Sequence, residues 1–192
     1  EIVKGTSLLF SKANLRFALF IEFVSAVAGA MILVNTVGHV KSGLGMNDNA
    51  YGWAMAAFGI GATLAALLST AIDKSKDKTV SLIVGAFLLS LSILGADWMP
   101  YPALLVLWLF AGLGQSMAEM PSEILIGEGI GLDQQGKVYG AHFAWSHLWW
   151  AIAYPIAGWI GSYHAERAFL LGGALSLMLA LLVMLIRRML PR

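Results

Sequence analysis

Six apolar stretches, each close to the length a helix needs to cross a bilayer, constrain this chain more than any other feature. They run over residues 17–37, 51–72, 79–96, 103–126, 138–160 and 168–186. A spanning helix needs about 20 mostly apolar residues, because the hydrocarbon core is about 30 Å thick and each helical residue rises about 1.5 Å. A chain of 192 residues, 59% hydrophobic and only 12% charged, has too little polar surface to hide those stretches from water. A soluble domain carries about 25% charged residues. The fold class expected is an all-α membrane protein with six transmembrane helices. There are no cysteines, which removes disulfides and thiolate metal sites from consideration.

The breaks between stretches have physical causes. Residues 41–49 are rich in Gly, Asn and Asp, which favour turns. Residues 73–78 are too charged to enter lipid, Pro100 and Pro102 mark a tight turn, and 127–136 and 162–167 are polar or glycine-rich. Basic residues set the orientation. With the N-terminus cytoplasmic, ten of the twelve Lys and Arg residues fall inside, and only Lys41 and Arg167 fall outside. Both ends are then inside, which an even number of spans requires. Trp53, Trp98, Tyr101, Trp159 and Tyr163 fall near the outer interface as an aromatic belt. The expected organisation is a cytoplasmic linker over 1–16, a six-helix bundle over 17–188 and a cytoplasmic tail over 189–192, in a cell (inner) membrane. Because the chain opens at Glu1 with a polar lead-in holding Lys4, Lys12 and Arg16, it reads as a piece of a longer protein. Glycines within the spans suit close helix approach.

The loop at 69–78, with Asp73, Lys74 and Lys78, resembles the cytoplasmic loop motif between paired helices of the major facilitator superfamily, with Ser69 and Lys76 where glycines are expected. Gly112 and Gly114, Pro121, Glu128 and the run Gly136, Lys137, Val138, Tyr139, Gly140 resemble the fourth helix of that family's second half and the entry to the fifth, with Gln135 and Lys137 in place of the usual arginines. The chain is thus similar to the C-terminal six-helix half of such a transporter. The resemblance implies a missing N-terminal six-helix half and a midplane cargo site only half built by this chain. The stretch from Tyr154 to Gly158 is similar to the fifth helix of prokaryotic exporters, including members linked to nickel resistance.

Ionisable groups inside a bilayer cost about 2.5–3.5 kcal/mol or more each, so they face protein or a water-filled cavity. Glu22, Glu119 and Glu123 fall within spans, as do His142 and His147. Glu119 and Glu123 are four apart and share a helix face. Glu119 and His147 lie at similar depths, about 13 Å from a span end for the histidine. In the resembled family the first and fourth helices of each half line the cavity, which favours Glu22, Glu119 and Glu123 as cavity residues. Three readings stay open: interfacial placement, proton coupling through Glu119 supported by Glu123 or Glu22, and direct contact with a cationic cargo. Glu and His together also suit divalent metals, although His142 and His147 are five apart and diverge in angle. His147, His142, Asn35, Gln115 and Trp145 are candidates for the substrate pathway, and Trp145, Trp149 and Trp150 can either pack or stack on an organic cation.

The function expected is proton-coupled export of a cation such as a metal ion, the alternative being efflux of an organic molecule. A non-transport subunit or an intramembrane enzyme fits less well. No Gly-x-Ser-x-Gly elbow or His-Glu-x-x-His motif occurs, and neighbours such as Ser146 and His147 point about 100° apart on a helix. Neither a cofactor nor a nucleic-acid partner is expected.

Overall fold

The computed structural model describes residues 1–67 and 78–189. Asp73 and Lys74 of the loop motif lie outside these residues. The described residues form helices and connecting turns, with no strand among them. In chain order they are α1 (Ile2–Ser11), α2 (Ala13–Gly38), a π-helical turn (His39–Gly43), α3 (Asp48–Leu67), α4 (Lys78–Leu94), α5 (Tyr101–Gly129), α6 (Leu132–Tyr163) and α7 (Ala168–Met189). Short 3₁₀ turns at Ala96–Trp98 and Ala165–Arg167 precede α5 and α7.

Local chemistry sets the helix ends. The Asn47 side chain accepts a hydrogen bond from the Ala50 N–H at 3.1 Å and caps α3. Pro100 and Pro102 open α5, where a missing N–H costs nothing. The polar stretch at 127–136, expected as a loop, is nearly all helical. Only Ile130 and Gly131 separate α5 from α6, both in extended backbone. The polar lead-in also forms a helix, α1, which lays Gly5 against the Lys137 carbonyl and buries Leu9 with Ile126, Ile130 and Val138.

Among the described residues five segments are long and apolar enough to cross a membrane: Ala13–Gly43, Asp48–Leu67, Lys78–Trp98, Tyr101–Gly129 and Ala165–Met189. The fifth of the six expected spans, α6, is long enough at 32 residues but falls outside this set. Asp133, Gln134, Gln135, Lys137, His142, Ser146 and His147 dilute its apolar content.

Helix α2 is the centre of the bundle: 78% of its span is buried, against 22–44% for the other four. Leu19, Val24, Ala28, Ala30, Met31 and Ile32 are fully enclosed. Around it, glycines let backbones touch. A Cβ on Gly61 of α3 would collide with the Leu109 carbonyl, and one on Gly112 of α5 with the Phe58 carbonyl, so these two helices cross with no side chain between them.

Two ends of the bundle are tied differently. At one end Lys78 pairs with Glu128 at 2.9 Å, Lys137 with Glu1 at 3.1 Å, and the Arg187 guanidinium donates to Thr79 at 3.0 Å while lying 4.3 Å over the Phe17 ring. The starts of α2, α4 and α6 and the ends of α5 and α7 therefore share one basic face. At the opposite end Asp97 accepts from the backbone N–H groups of Phe169 (3.2 Å) and Leu170 (2.7 Å), capping α7. There Trp108 also donates to Thr36 at 3.1 Å and packs edge-on to Phe169 at 5.0 Å.

Candidate functional site

Three helices bring acids and imidazoles together. Helix α2 contributes Glu22, α5 contributes Glu119, Met120 and Glu123, and α6 contributes His142, Ser146, His147, Trp150 and Tyr154 to a cavity of about 550 Å³. That volume suits a small organic molecule. The spacing explains the convergence. Glu119 and Glu123 are one turn apart on α5, and His142, Ser146 and Trp150 repeat every four residues on α6, so each set lies on one helix face.

Pro121 stands between the two acids of α5. It cannot donate to the carbonyl four residues back, that of Met117. The Ser81 hydroxyl, from α4, donates to that carbonyl at 3.1 Å and replaces the lost bond. The same two helices meet directly below, where Gly85 approaches the Gly114 carbonyl. The segment that carries Glu119 and Glu123 is thus held from behind.

The acids are held in three different ways. Glu22 is 5% exposed, and its Oε1 meets His142 Nε2 at 2.7 Å. Its Oε2 is buried with no hydrogen-bond partner. Glu119 Oε1 accepts from Ser25 at 2.8 Å and from Gln115 at 3.3 Å, both neutral donors. The Glu123 carboxylate makes no hydrogen bond or ion pair among the described residues, although its backbone carbonyl accepts from the Tyr139 hydroxyl at 3.1 Å. On the α6 side, Trp150 and Tyr154 form an aromatic wall with centroids 5.4 Å apart. The His147 ring lies on Phe143 at 3.9 Å.

The structure thus gathers Glu22, Glu119, Glu123, His142 and His147 around one cavity, where the sequence placed only Glu119 and His147 at similar depths. Gln115 stands one turn behind, bonded to Glu119. Trp145 and Asn35 are elsewhere. Trp145 donates to Thr6 of α1 at 3.2 Å and packs on Phe10 at 5.3 Å, fixing α1 to α6. Asn35 donates to the Ala157 carbonyl at 3.2 Å and fills the space over Gly161, which makes it a tie between α2 and α6. Of the loop motif, Lys78 pairs with Glu128 and Lys137 with Glu1, and a Cβ on Gly136 would meet no atom among the described residues.

Ser25, Met120 and Tyr154 were not singled out by sequence. Ser25 carried a signal, since it follows Glu22 by three residues and so shares its face. Ser146 and His147 come closer than their 100° separation implies, at 3.4 Å. His147 Nδ1 nevertheless lies 2.9 Å from the Phe143 carbonyl, which also accepts from Ser146 at 3.0 Å. A nitrogen that donates to a carbonyl cannot also take the serine proton. Among the described residues no three His, Cys, Asp or Glu are arranged to hold a metal ion.

The model of the Major Facilitator Superfamily matches residues 18–192. No curated protein matches the chain.

Proposed function

The chain belongs to the Major Facilitator Superfamily, a family of secondary transporters acting on small molecules or ions in membranes, and on that premise we propose that it exports an organic cation from the cytoplasm in exchange for protons. One observation carries this reading. Three carboxylates from two helices face two histidines of a third across a single cavity. Carboxylates held in a site of low polarity attract a cation and bind a proton in the same place. A cation and a proton then compete for one set of oxygens, and competition of that kind is what exchange requires.

Glu119 is the coupling group in this reading, because its ties are to neutral partners and not to a fixed counter-charge. Glu22 is already matched by His142. An organic cargo is favoured over a metal ion by the aromatic wall at Trp150 and Tyr154 and by the want of a three-ligand cluster among the described residues. Transport is favoured over hydrolysis because His147 is spent on a carbonyl. The basic face at Lys78, Lys137 and Arg187 faces the cytoplasm, α6 is the remaining span, and a second six-helix half completes the cavity. That half would cover Phe143, Leu148 and Tyr154, which are exposed on α6.

The test is uphill export in vesicles holding the purified full-length protein, driven by a pH gradient. Nickel, a lipophilic cation and phenethylammonium are offered side by side. Glu119→Gln is expected to abolish gradient-driven accumulation while cargo still binds. Wild-type export by that variant would make Glu119 a structural residue, and export of nickel alone would restore the metal reading.

A further inference from the structure

We infer that the cargo is an organic cation bearing N–H donors, such as a protonated amine, an amidinium or a guanidinium, and not a quaternary cation. This rests on the cavity being the cargo site, and it follows from a count of hydrogen-bond partners inside it.

The donors nearest the acids are committed, and the Trp150 indole N–H and Tyr154 hydroxyl, which also line the cavity, are the uncommitted ones among the described residues. His142 Nε2 is used by Glu22 Oε1 at 2.7 Å. Ser25 and Gln115 both donate to the same oxygen of Glu119, at 2.8 and 3.3 Å. Ser146 and His147 Nδ1 are turned back on the Phe143 carbonyl at 3.0 and 2.9 Å. The acceptors are in surplus. Glu22 Oε2 is enclosed without a partner in a residue only 5% exposed, and Gln115 Oε1, beside Glu119, is likewise buried and unpaired. Glu119 Oε2 has no hydrogen bond among the described residues, and neither do the oxygens of Glu123, which are exposed and open to water.

A carboxylate can only accept, and an unpaired buried acceptor costs about 1–3 kcal/mol, more if charged. A cargo that brings donors removes that cost, and one that brings charge alone does not. A tetraalkyl cation satisfies the Coulombic demand and leaves the unpaired oxygens unbonded. A primary ammonium offers three N–H groups, and an amidinium or guanidinium offers a planar fork that fits a carboxylate edge. Trp150, Tyr154 and Met120 line the same cavity, so the body of the cargo is apolar and flat enough to lie on an aromatic ring.

The experiment compares phenethylammonium with phenethyltrimethylammonium and phenethyl alcohol, binding each to the purified full-length protein in nanodiscs by calorimetry. The ammonium is expected to bind at least about tenfold more tightly than its trimethyl analogue, each factor of ten being about 1.4 kcal/mol. Glu22→Gln adds a donor in place of the unpaired oxygen, and it should shrink that ratio toward one. Glu123→Gln, at an exposed position, serves the same purpose should the buried variant fail to fold. Equal binding of the two cations overturns the donor inference and leaves the cation reading intact. Binding of the alcohol as tightly as the ammonium overturns the cation reading itself. No binding by any of the three overturns the donor inference.

Discussion

Removing the imidazole of His142 is expected to destabilise the bundle by about 3 kcal/mol. Glu22 lies 5% exposed at the heart of α2, with one oxygen on His142 at 2.7 Å and the other without a partner. In His142→Ala the carboxylate keeps no donor at all. Breaking a buried pair by deleting one member costs about 3–5 kcal/mol, and the adjoining cavity lets water recover part of it, which favours the lower end. Three kcal/mol is more than a hundredfold in the unfolding equilibrium. Deleting both charges in Glu22→Leu/His142→Ala removes the orphan, so the double variant should return to within about 1 kcal/mol of the parent. Reversible unfolding in mixed micelles, followed by helix circular dichroism, gives the full double-mutant cycle. A loss below about 1 kcal/mol in His142→Ala, or a double variant no more stable than the single one, would refute the view of Glu22 as a buried charge held by one partner.

Other outcomes follow from the packing and the ties. Gly61→Val forces a side chain into the Leu109 backbone, and its cost in unfolding free energy should reach the upper end of about 1–3 kcal/mol; a neutral effect would show that α3 and α5 are not in backbone contact. Ser81→Ala leaves the Met117 carbonyl unpaired and should cost about 1–3 kcal/mol by the same assay. In a Pro121→Ala background, where the helix N–H is restored, most of that loss should vanish. Asp97→Ala removes the cap of α7 and should cost about 0.5–2 kcal/mol, read as a lower melting temperature, with Asp97→Asn intermediate. Single cysteines at Ser42 and Ser162 should react with an impermeant maleimide from outside the cell and one at Ser75 only from inside; outside labelling of Ser75 would reverse the orientation.

The helices were legible because hydrophobic length is a one-dimensional property. α2, α4 and α7 stand out on composition alone. Helix α6 was legible by length and by its aromatic content, but its polar residues made it a poor span by hydropathy, and three of them, His142, Ser146 and His147, line the cavity. The acids could be ranked by depth, since rise per residue is fixed. Their partners could not be, because which helices are neighbours is decided by packing of distant segments. Ser25 meets Glu119 across 94 residues of sequence, and His142 meets Glu22 across 120. Trp145 and Asn35 show the limit from the other side. Both are polar-tipped residues within predicted spans, yet one faces α1 and the other faces a glycine of α6. The helix at Ile2–Ser11 was hidden for a similar reason, as its single buried turn makes sense only against Val138 and Ile126.

The two-residue link at Ile130 and Gly131 bears on how such a chain enters a membrane during synthesis. Helix α6 is the long helix that falls short of a spanning composition, so on the transporter reading it is a poor candidate for partitioning into lipid unaided. Joined so closely to α5, it can be carried in as the second arm of a hairpin. Helix α2, made earlier, is already present to receive His142 and to accept the Trp149 indole N–H at the Leu19 carbonyl, 3.1 Å away. A glycosylation-tagged α6 presented alone to microsomes should stay unthreaded, and the α5–α6 pair should thread; efficient threading of α6 alone would count against this. On that reading the polarity that would let α6 hold a cargo also makes its entry depend on its neighbours, and it ties the order of synthesis to the assembly of the site.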